Sequence, residues 1–239
     1  MALAGFLTGV SKTGVTGLSI LAVAIAASVL PARDSVGTIL LIFLTGDVMA
    51  ISMYRRIASW PHLRRIFPWA GLGVLVGVFA MSRVDNTSAR RLIAGILVAL
   101  IAIYFARQRA VNGTVAEALP FARHPWLISV AGVLAGFTTM VANASGPIMI
   151  IYLLALRLPK EVFVGTTAWF FLALNLFKTP FSVGLGLINP SSAPIALPVA
   201  PFVVAGAFLG RALLRRLNQR RFEWIALTLA LVAGVRLLL

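Results

Sequence analysis

The sequence predicts an all-α, polytopic membrane protein built from two inverted repeats, and three observations support this fold class. Of the 239 residues, 60% are hydrophobic and 11% are charged, and long apolar runs recur along the whole chain. Stretches of the first half recur in the second half in the same order. The basic residues are shared unevenly among the loops, which favours opposite orientations of the two halves. A transmembrane barrel would instead show weak alternation over about ten residues.

The repeat is visible as matching stretches of sequence. The Gly-x-x-x-Gly motif that begins at Gly5 recurs at Gly132, an offset of 127 residues, and later offsets grow to 133. One of the matches aligns Asp47 with Asn175. The chain is therefore predicted to consist of a first repeat (1–110), a polar linker (111–124) and a second repeat (125–239). The later matches are LPARDSVGT (30–38) with LPKEVFVGT (158–166), FLTGD (43–47) with FLALN (171–175), and PWAGLGVLVG (68–77) with PFVVAGAFLG (201–210).

Each repeat begins with two short apolar segments that are separated by small and polar residues, and three longer apolar segments follow. A membrane span needs about 20 residues, so the short pair is too short to cross twice. It makes one interrupted crossing or a re-entrant hairpin. The expected helices are 2–11, 15–30, 35–55, 66–82 and 89–106 in the first repeat, and 126–138, 144–156, 161–182, 195–213 and 221–239 in the second.

Loop charges favour inverted repeats. If each short pair crosses once, the two sides of the membrane hold 9 and 11 Lys and Arg residues. If each pair is re-entrant, the sides hold 14 and 6, and the positive-inside rule favours this arrangement. Two full crossings per pair would place the loops on the same sides as re-entrant pairs do. The charges therefore support inverted repeats more firmly than they support hairpins. We therefore expect a multi-pass protein of the plasma or inner membrane, with the C-terminus outside and the loops 55–65, 107–124 and 211–221 in the cytoplasm.

Composition argues against several other classes of protein. The net charge of +15 comes from basic residues between apolar runs, a pattern typical of loops that contact lipid headgroups, so no nucleic-acid partner is expected. The chain has no cysteine and two histidines, both in loop-like stretches, so we expect no metal site and no cofactor. The N-terminus lacks the basic region of a signal peptide, and its second copy argues against cleavage.

The stretches between the short segments are the candidate substrate site. A helix break exposes backbone N–H groups and helix ends, which suit an anion, and hydroxyl groups add neutral donors. Pro147 suits the first turn of the helix after the second break. The alternative is that small residues only allow close helix packing, as the Gly-x-x-x-Gly motifs at Gly5, Gly73 and Gly206 are expected to do. We expect the two breaks to meet near the midplane and form one site, with Ser11, Lys12, Thr13, Gly14, Thr16 and Gly17 from the first break and Thr138, Thr139, Asn143, Ser145 and Gly146 from the second.

Three further polar residues lie within or beside apolar segments. Asp47 is a carboxylate deep in such a segment, which is costly and usually indicates a partner or a cavity. It is a proton-coupling group, the counter-ion of Lys12, or part of a structural ion pair or hydrogen bond that locks the helix bundle. Its repeat mate Asn175 cannot titrate. Lys178 either lines a path out of the site or extends its amine to the membrane interface, and the second interpretation is preferred.

The chain resembles the sulfite exporter TauE/SafE family, also called the TSUP family of membrane permeases. The resemblance rests on GFLTGVSKTGVTGLSIL and LPARDSVGT in the first half, and on AGFTTMVANASGP, LPKEVFVGT and WFFLALNLFKTPF in the second. It implies transport of sulfite, sulfonates or related sulfur-containing anions. The glycine cluster usual in the family is thinned here to KTGVTG and, in the second copy, to NASGP.

The functional hypothesis is a secondary transporter for a small anionic substrate that works by alternating access, with proton coupling left open. An anion channel is the first alternative, and a homo-oligomer is left open. An intramembrane hydrolase is the second alternative, with Ser11 and Lys12 as nucleophile and base. It is disfavoured because adjacent residues on a helix do not face each other, and because the sequence has no G-x-S-x-G or H-E-x-x-H motif. We therefore expect no enzymatic activity and no catalytic residues.

Overall fold

The computed structural model describes residues 1–83 and 124–238, and this part of the chain is helical without strands. Of the predicted elements, segment 89–106 and nearly all of the linker 111–124 lie outside the described residues. The other predicted helices are all present in the expected order. They are α1 (Ala2–Thr13), α2 (Ser19–Val29), α3 (Ala32–Tyr54), α4 (Trp60–Arg83), α5 (Pro125–Ala142), α6 (Gly146–Ala155), α7 (Lys160–Gly184), α8 (Ser192–Ala196), α9 (Ala200–Arg216) and α10 (Gln219–Leu238), with a 3₁₀ turn at Leu197–Val199.

Five helical segments in the described part are long and apolar enough to cross a membrane. One of them is α5, which has 18 residues and runs past the expected end of its segment at residue 138. The first arm of the second short pair therefore reaches the length of a span, against our expectation. Its partner α6 has 10 residues, so the pair as a whole is still too short for two crossings. The five segments are Arg33–Tyr54, Trp60–Ser82, Pro125–Ala142, Lys160–Gly184 and Ser192–Arg216.

Both helix breaks are present, but they are shorter than predicted. Helix α1 continues through Ser11, Lys12 and Thr13, and α5 continues through Thr138 and Thr139. Threonine tolerates the helix because its hydroxyl can donate to a carbonyl group of the preceding turn, as from Thr138 to the carbonyl of Leu134 at 2.7 Å. These five residues therefore lie in terminal helical turns, and the non-helical stretches are 14–18 and 143–145.

Left-handed backbone marks both breaks. Gly17 has φ 114°, which glycine adopts readily, and Asn143 ends α5 with φ 52° and ψ 31°. Gly14, in contrast, is required for space, since a Cβ there would lie 2.1 Å from the carbonyl oxygen of Gly210. Pro147 occupies the first turn of α6 as predicted.

The described helices fall into two compact units, each of which contains helices from both halves of the sequence. Unit 1 (Met1–Leu63 with Lys160–Phe222) contains α1, α2, α3, α7, α8 and α9. In unit 1, α1 packs along α9 and α3 packs along α7. Unit 2 (Arg64–Pro159 with Glu223–Leu239) contains α4, α5, α6 and most of α10. The proposed repeat boundaries are a different division, and they stay a prediction.

Equivalent glycine contacts occur in the two units. In unit 1, a Cβ on Gly9 of α1 would lie 2.0 Å from the carbonyl oxygen of Val203 in α9. In unit 2, a Cβ on Gly136 of α5 would lie 1.9 Å from the carbonyl oxygen of Ala70 in α4. Gly9 and Gly136 are separated by the repeat offset of 127, and Ala70 and Val203 by the offset of 133, so the two contacts join equivalent positions of the repeat.

The same correspondence holds for a second pair of glycines. A Cβ on Gly206 would lie 2.1 Å from the carbonyl oxygen of Phe6, and one on Gly73 would lie 2.1 Å from that of Val133. The Gly-x-x-x-Gly motifs thus serve close helix packing, as predicted. The repeat extends to individual contacts, and the inversion of the two repeats in the membrane stays a prediction.

Candidate functional site

Three helices of unit 1 bring four polar side chains together in a buried cluster, which we call the charged cluster. It consists of Lys12 from the last turn of α1, Asp47 from α3, and Asn175 and Lys178 from α7. Their exposed fractions are 9% for Lys12, 0% for Asp47 and 1% for each of the other two. Four of the residues singled out from the sequence are therefore neighbours inside one packed unit.

Asp47 is engaged on both carboxylate oxygens. The ammonium nitrogen of Lys12 lies 2.6 Å from Oδ1 and forms a close ion pair with it. The side-chain amide of Asn175 donates a hydrogen bond of 2.6 Å to Oδ2. Asp47 thus forms an ion pair with Lys12, which was among the expected roles, and proton coupling stays a prediction.

Two aromatic rings complete the surroundings of Lys12. Its ammonium nitrogen lies 4.7 Å from the ring centre of Phe43 and 4.4 Å from that of Phe171. A cation is attracted to the face of an aromatic ring, more strongly where water is excluded. The sequence reasoning missed both phenylalanines. The signal was present, because they are the first residues of the matching stretches FLTGD and FLALN.

Two pairs of repeat mates therefore lie in or beside the charged cluster. Asp47 pairs with Asn175, and the rings of Phe43 and Phe171 both contact the ammonium group of Lys12. The mates at positions 47 and 175 differ chemically, because one is a carboxylate and the other a neutral amide.

Lys178 is buried, contrary to the preferred prediction that its amine reaches the membrane interface. Its side chain is 1% exposed, and it interacts electrostatically with both Asp47 and Lys12. Lys178 was counted among the six basic residues of the less basic side. Without it the two sides hold 14 and 5 Lys and Arg residues, so the difference between them is slightly larger.

The other predicted residues of the first break hold the end of α1 in place. The Ser11 hydroxyl accepts a 3.0 Å hydrogen bond from the backbone N–H of Ser19, where α2 begins. The Thr13 hydroxyl donates to the carbonyl of Ala207 in α9 at 2.7 Å, and the Thr13 carbonyl accepts from the Tyr54 hydroxyl at 2.8 Å. Gly14 packs on α9, Gly17 has left-handed backbone, and Thr16 is buried between them. These contacts fix the position of Lys12.

The residues of the second break belong to unit 2. Thr138, Thr139, Asn143 and Ser145 are buried, and Gly146 is half-buried. The Thr138 hydroxyl donates to the carbonyl of Leu134 at 2.7 Å, and the backbone N–H of Asn143 donates to the carbonyl of Thr139 at 3.1 Å. The expectation that this break and the first one form a single site stays a prediction.

The fold and the charged cluster together define a class of protein. Ionised side chains inside a helical membrane protein are costly and usually mark the path of an ion or a polar substrate, and here they lie between α3 and α7, two helices long enough to span. The class is that of polytopic membrane transporters. More specifically, the family model for the sulfite exporter TauE/SafE matches residues 1–237, and the chain belongs to this family of membrane transporters. No curated protein and no solved structure matches the chain.

Proposed function

We propose that the protein is a secondary transporter for a small sulfur-containing oxyanion, such as sulfite or an organosulfonate, and that the charged cluster binds the substrate. One observation carries the proposal. Two buried lysines face one buried carboxylate in a chain from a family of sulfite exporters. Ammonium groups that are held in a buried, water-poor site attract an anion more strongly than they would in water, so the charged cluster favours the entry of an anion.

The chemistry of the four side chains suits an oxyanion. A lysine ammonium has three donors and no acceptor, and an amide has two donors. Lys178 and the second amide hydrogen of Asn175 therefore offer donors to the oxygens of a sulfite or sulfonate group. The rings of Phe43 and Phe171, which lie beside Lys12, exclude water and strengthen the electrostatic attraction.

Alternating access follows if substrate binding changes the contacts of Lys12. An anion competes with Asp47 for the ammonium group, and loss of the ion pair loosens the contact between α1 and α3. A proton on Asp47 would have the same effect, since a neutral carboxyl group attracts Lys12 less than a carboxylate does. The Lys12–Asp47 pair is thus the proposed coupling element, and Asn175 keeps the carboxyl group in position.

Counterflow in proteoliposomes tests the proposal. The purified full chain is reconstituted, the vesicles are loaded with unlabelled sulfite, and uptake of radiolabelled sulfite is measured against empty vesicles. A carrier shows saturable uptake that is accelerated by the internal sulfite. Linear uptake without acceleration would identify a channel, and absence of sulfite or sulfonate flux would contradict the proposed function. A panel with sulfate, thiosulfate, small sulfonates and carboxylates then ranks the substrates.

A further inference from the structure

We infer that Arg211 and Arg215 of α9, which we call the arginine pair, form a second anion site that the substrate occupies on its way to or from the charged cluster. The inference rests on the proposed function, because it adds a site to the path of the same oxyanion. It is carried by the position of the two side chains beside the end of α1, and by the lack of a counter-ion for them in the described part of the chain.

Helices α1 and α9 run side by side in the same direction. A Cβ on Gly5 would lie 2.2 Å from the side chain of Val199, directly before α9, and one on Gly14 would lie 2.1 Å from the carbonyl oxygen of Gly210. Gly14 directly follows Thr13, the last residue of α1. The residues of α9 after Gly210 therefore lie past the end of α1, on the side that is predicted to be cytoplasmic.

Helical periodicity places the arginine pair near the face of α9 that meets α1. Ala207 belongs to this face, since its carbonyl accepts a 2.7 Å hydrogen bond from the Thr13 hydroxyl. Residues four apart are neighbours on one side of a helix, so Arg211 and Arg215 follow Ala207 one and two turns further along. Arg216 comes two and a half turns after Ala207 and therefore lies on the opposite face.

Tyr54, the last residue of α3, connects the arginine pair with the end of α1. Its hydroxyl donates a hydrogen bond of 2.8 Å to the carbonyl of Thr13, and both arginines interact electrostatically with this tyrosine. Thr13 directly follows Lys12 in the last turn of α1. The arginine pair therefore lies close to the helix end that carries Lys12 into the charged cluster.

The two guanidinium groups have no ion pair or hydrogen bond with another residue in the described part of the chain. Glu161 also interacts electrostatically with Tyr54, but its carboxylate lies 3.6 Å from the ammonium group of Lys160. An arginine stays ionised wherever it lies, and its planar fork of donors fits two oxygens of an oxyanion. The arginine pair is therefore available to an incoming anion.

Partial exposure suits the arginine pair to a passing substrate. Arg211 is half-buried and Arg215 is exposed, so water and salt weaken their attraction for an anion, and the anion is released again. Positive charge at the entrance to a site still raises the local concentration of anions, and it accelerates their association by about ten- to a thousandfold. We therefore expect the arginine pair to act on the capture of the substrate rather than on the transport step.

Sulfite counterflow in proteoliposomes tests the inference through three variants that each remove one positive charge. Arg211→Met and Arg215→Met change the arginine pair, and Arg216→Met is the matched control on the opposite face of the same helix. At low ionic strength the KM for sulfite should rise at least about threefold in each of the first two, with kcat within about twofold of the wild type. The control should keep both wild-type constants. At about 1 M ionic strength, where charges are screened over about 3 Å, the difference in KM should disappear.

The phosphate of an anionic lipid headgroup has the same chemistry as a free oxyanion, so the lipid is varied as well. A rise in KM in vesicles of phosphatidylcholine alone, which has no net charge, supports a substrate site. A rise that is confined to vesicles containing phosphatidylglycerol would assign the arginine pair to lipid and overturn the inference.

The remaining outcomes separate the inference from the proposed function. Wild-type KM in Arg215→Met, whose exposed side chain contributes little to folding, would overturn the arginine pair as a substrate site even if Arg211→Met does not fold. An equal rise in KM in Arg216→Met would also overturn it. In both cases sulfite counterflow by the wild type leaves the proposed function standing. Absence of flux in the wild type would overturn both.

Discussion

At the scale of single residues, the interior of unit 1 depends on how Lys12 is compensated. Its ammonium group contacts one carboxylate and two aromatic rings, and its side chain is buried. The position of Lys12 in the last turn of α1 is also favourable, because the C-terminal end of a helix attracts positive charge. Removing either member of a buried ion pair leaves the other uncompensated, which is why substitutions here affect both stability and binding.

We predict that Lys12→Met weakens anion binding and destabilises the fold. Binding should decrease by about 1.5–3 kcal/mol, or roughly ten- to a hundredfold, because a charged partner is lost. Stability should decrease by about 3–5 kcal/mol, because Asp47 stays buried without its counter-ion. Calorimetric titration with sulfite and chemical denaturation in detergent measure the two effects. Wild-type affinity in the variant would show that Lys12 is a structural residue only.

The double variant Lys12→Met with Asp47→Asn separates these contributions. It removes both charges of the pair, so the buried carboxylate no longer lacks a counter-ion. We expect its stability to exceed that of Lys12→Met by at least about 1 kcal/mol, so that the stability losses of the two single variants sum to more than the loss of the double variant. Additive stability losses in the two single variants and the double variant would contradict the ion pair.

Asp47→Asn also tests proton coupling. If Asp47 carries the proton, the variant should lose uptake driven by a pH gradient and keep substrate exchange, because an amide cannot titrate. Sulfite uptake with and without an imposed gradient, together with counterflow, measures both activities in the same vesicles. Gradient-driven uptake at the wild-type level would show that the carboxylate is structural and that coupling lies elsewhere.

At the scale of helices, glycines set the distances between neighbours. In α1 and α9 the backbones approach so closely that a Cβ on Gly9 would lie 2.0 Å from a carbonyl oxygen. Such contacts in membranes are stabilised by van der Waals packing rather than by hydrophobic burial. They hold α1 against α9, and α1 in turn positions Lys12 at the charged cluster.

We predict that Gly9→Val and Gly136→Val destabilise the protein to a similar degree, because the two contacts are equivalent. Overpacking of this kind typically costs about 1–3 kcal/mol, and more where the obstacle is backbone. Gly184→Val is the matched control, since a Cβ at this helical glycine has no neighbour within 4 Å. Thermal unfolding in detergent measures all three variants. Stability at the wild-type level in Gly9→Val would contradict the close packing of α1 on α9.

At the scale of the whole molecule, the uneven distribution of basic residues predicts the orientation in the membrane. The ends of α7 should lie on opposite sides, because 25 residues in a helix are long enough to cross. Loops 55–65 and 211–221 are predicted to be cytoplasmic, and the loop after Gly184 is predicted to be outside. The predicted cytoplasmic loop 107–124 lies almost entirely outside the described residues.

Single cysteines test this orientation, since the chain has none of its own. Arg56→Cys and Arg220→Cys place the thiol at exposed positions in the two basic loops, and Gly184→Cys places it at the other end of α7. In intact cells an impermeant thiol reagent should label the Gly184→Cys variant and leave the other two unlabelled. Labelling of only one of the two loop variants would contradict the inverted arrangement.

The helices, the equivalent glycine contacts and most of the charged residues of the site could be predicted from the sequence alone. Apolar periodicity and length determined the helices, because the bilayer requires about 20 residues per span and backbone hydrogen bonds within each one. The repeat determined which glycines pack in equivalent ways, and the scarcity of intramembrane charge indicated Lys12, Asp47 and their neighbours. Breaks were predicted too long, because hydroxyl side chains that look polar in sequence are satisfied by carbonyl groups of their own helix.

The tertiary structure decided which partners these residues have. The sequence aligned Asp47 with Asn175 without indicating that they touch, since a repeat specifies equivalence and not distance. Lys178 lies near the end of an apolar segment, and the local sequence there is the same whether the lysine is buried or reaches the membrane interface. The sequence therefore did not distinguish these two positions. Only the packing of α1, α3 and α7 buries both lysines beside one carboxylate. Buried charge depends on what surrounds a side chain, and those surroundings come from helices more than 100 residues apart in the chain.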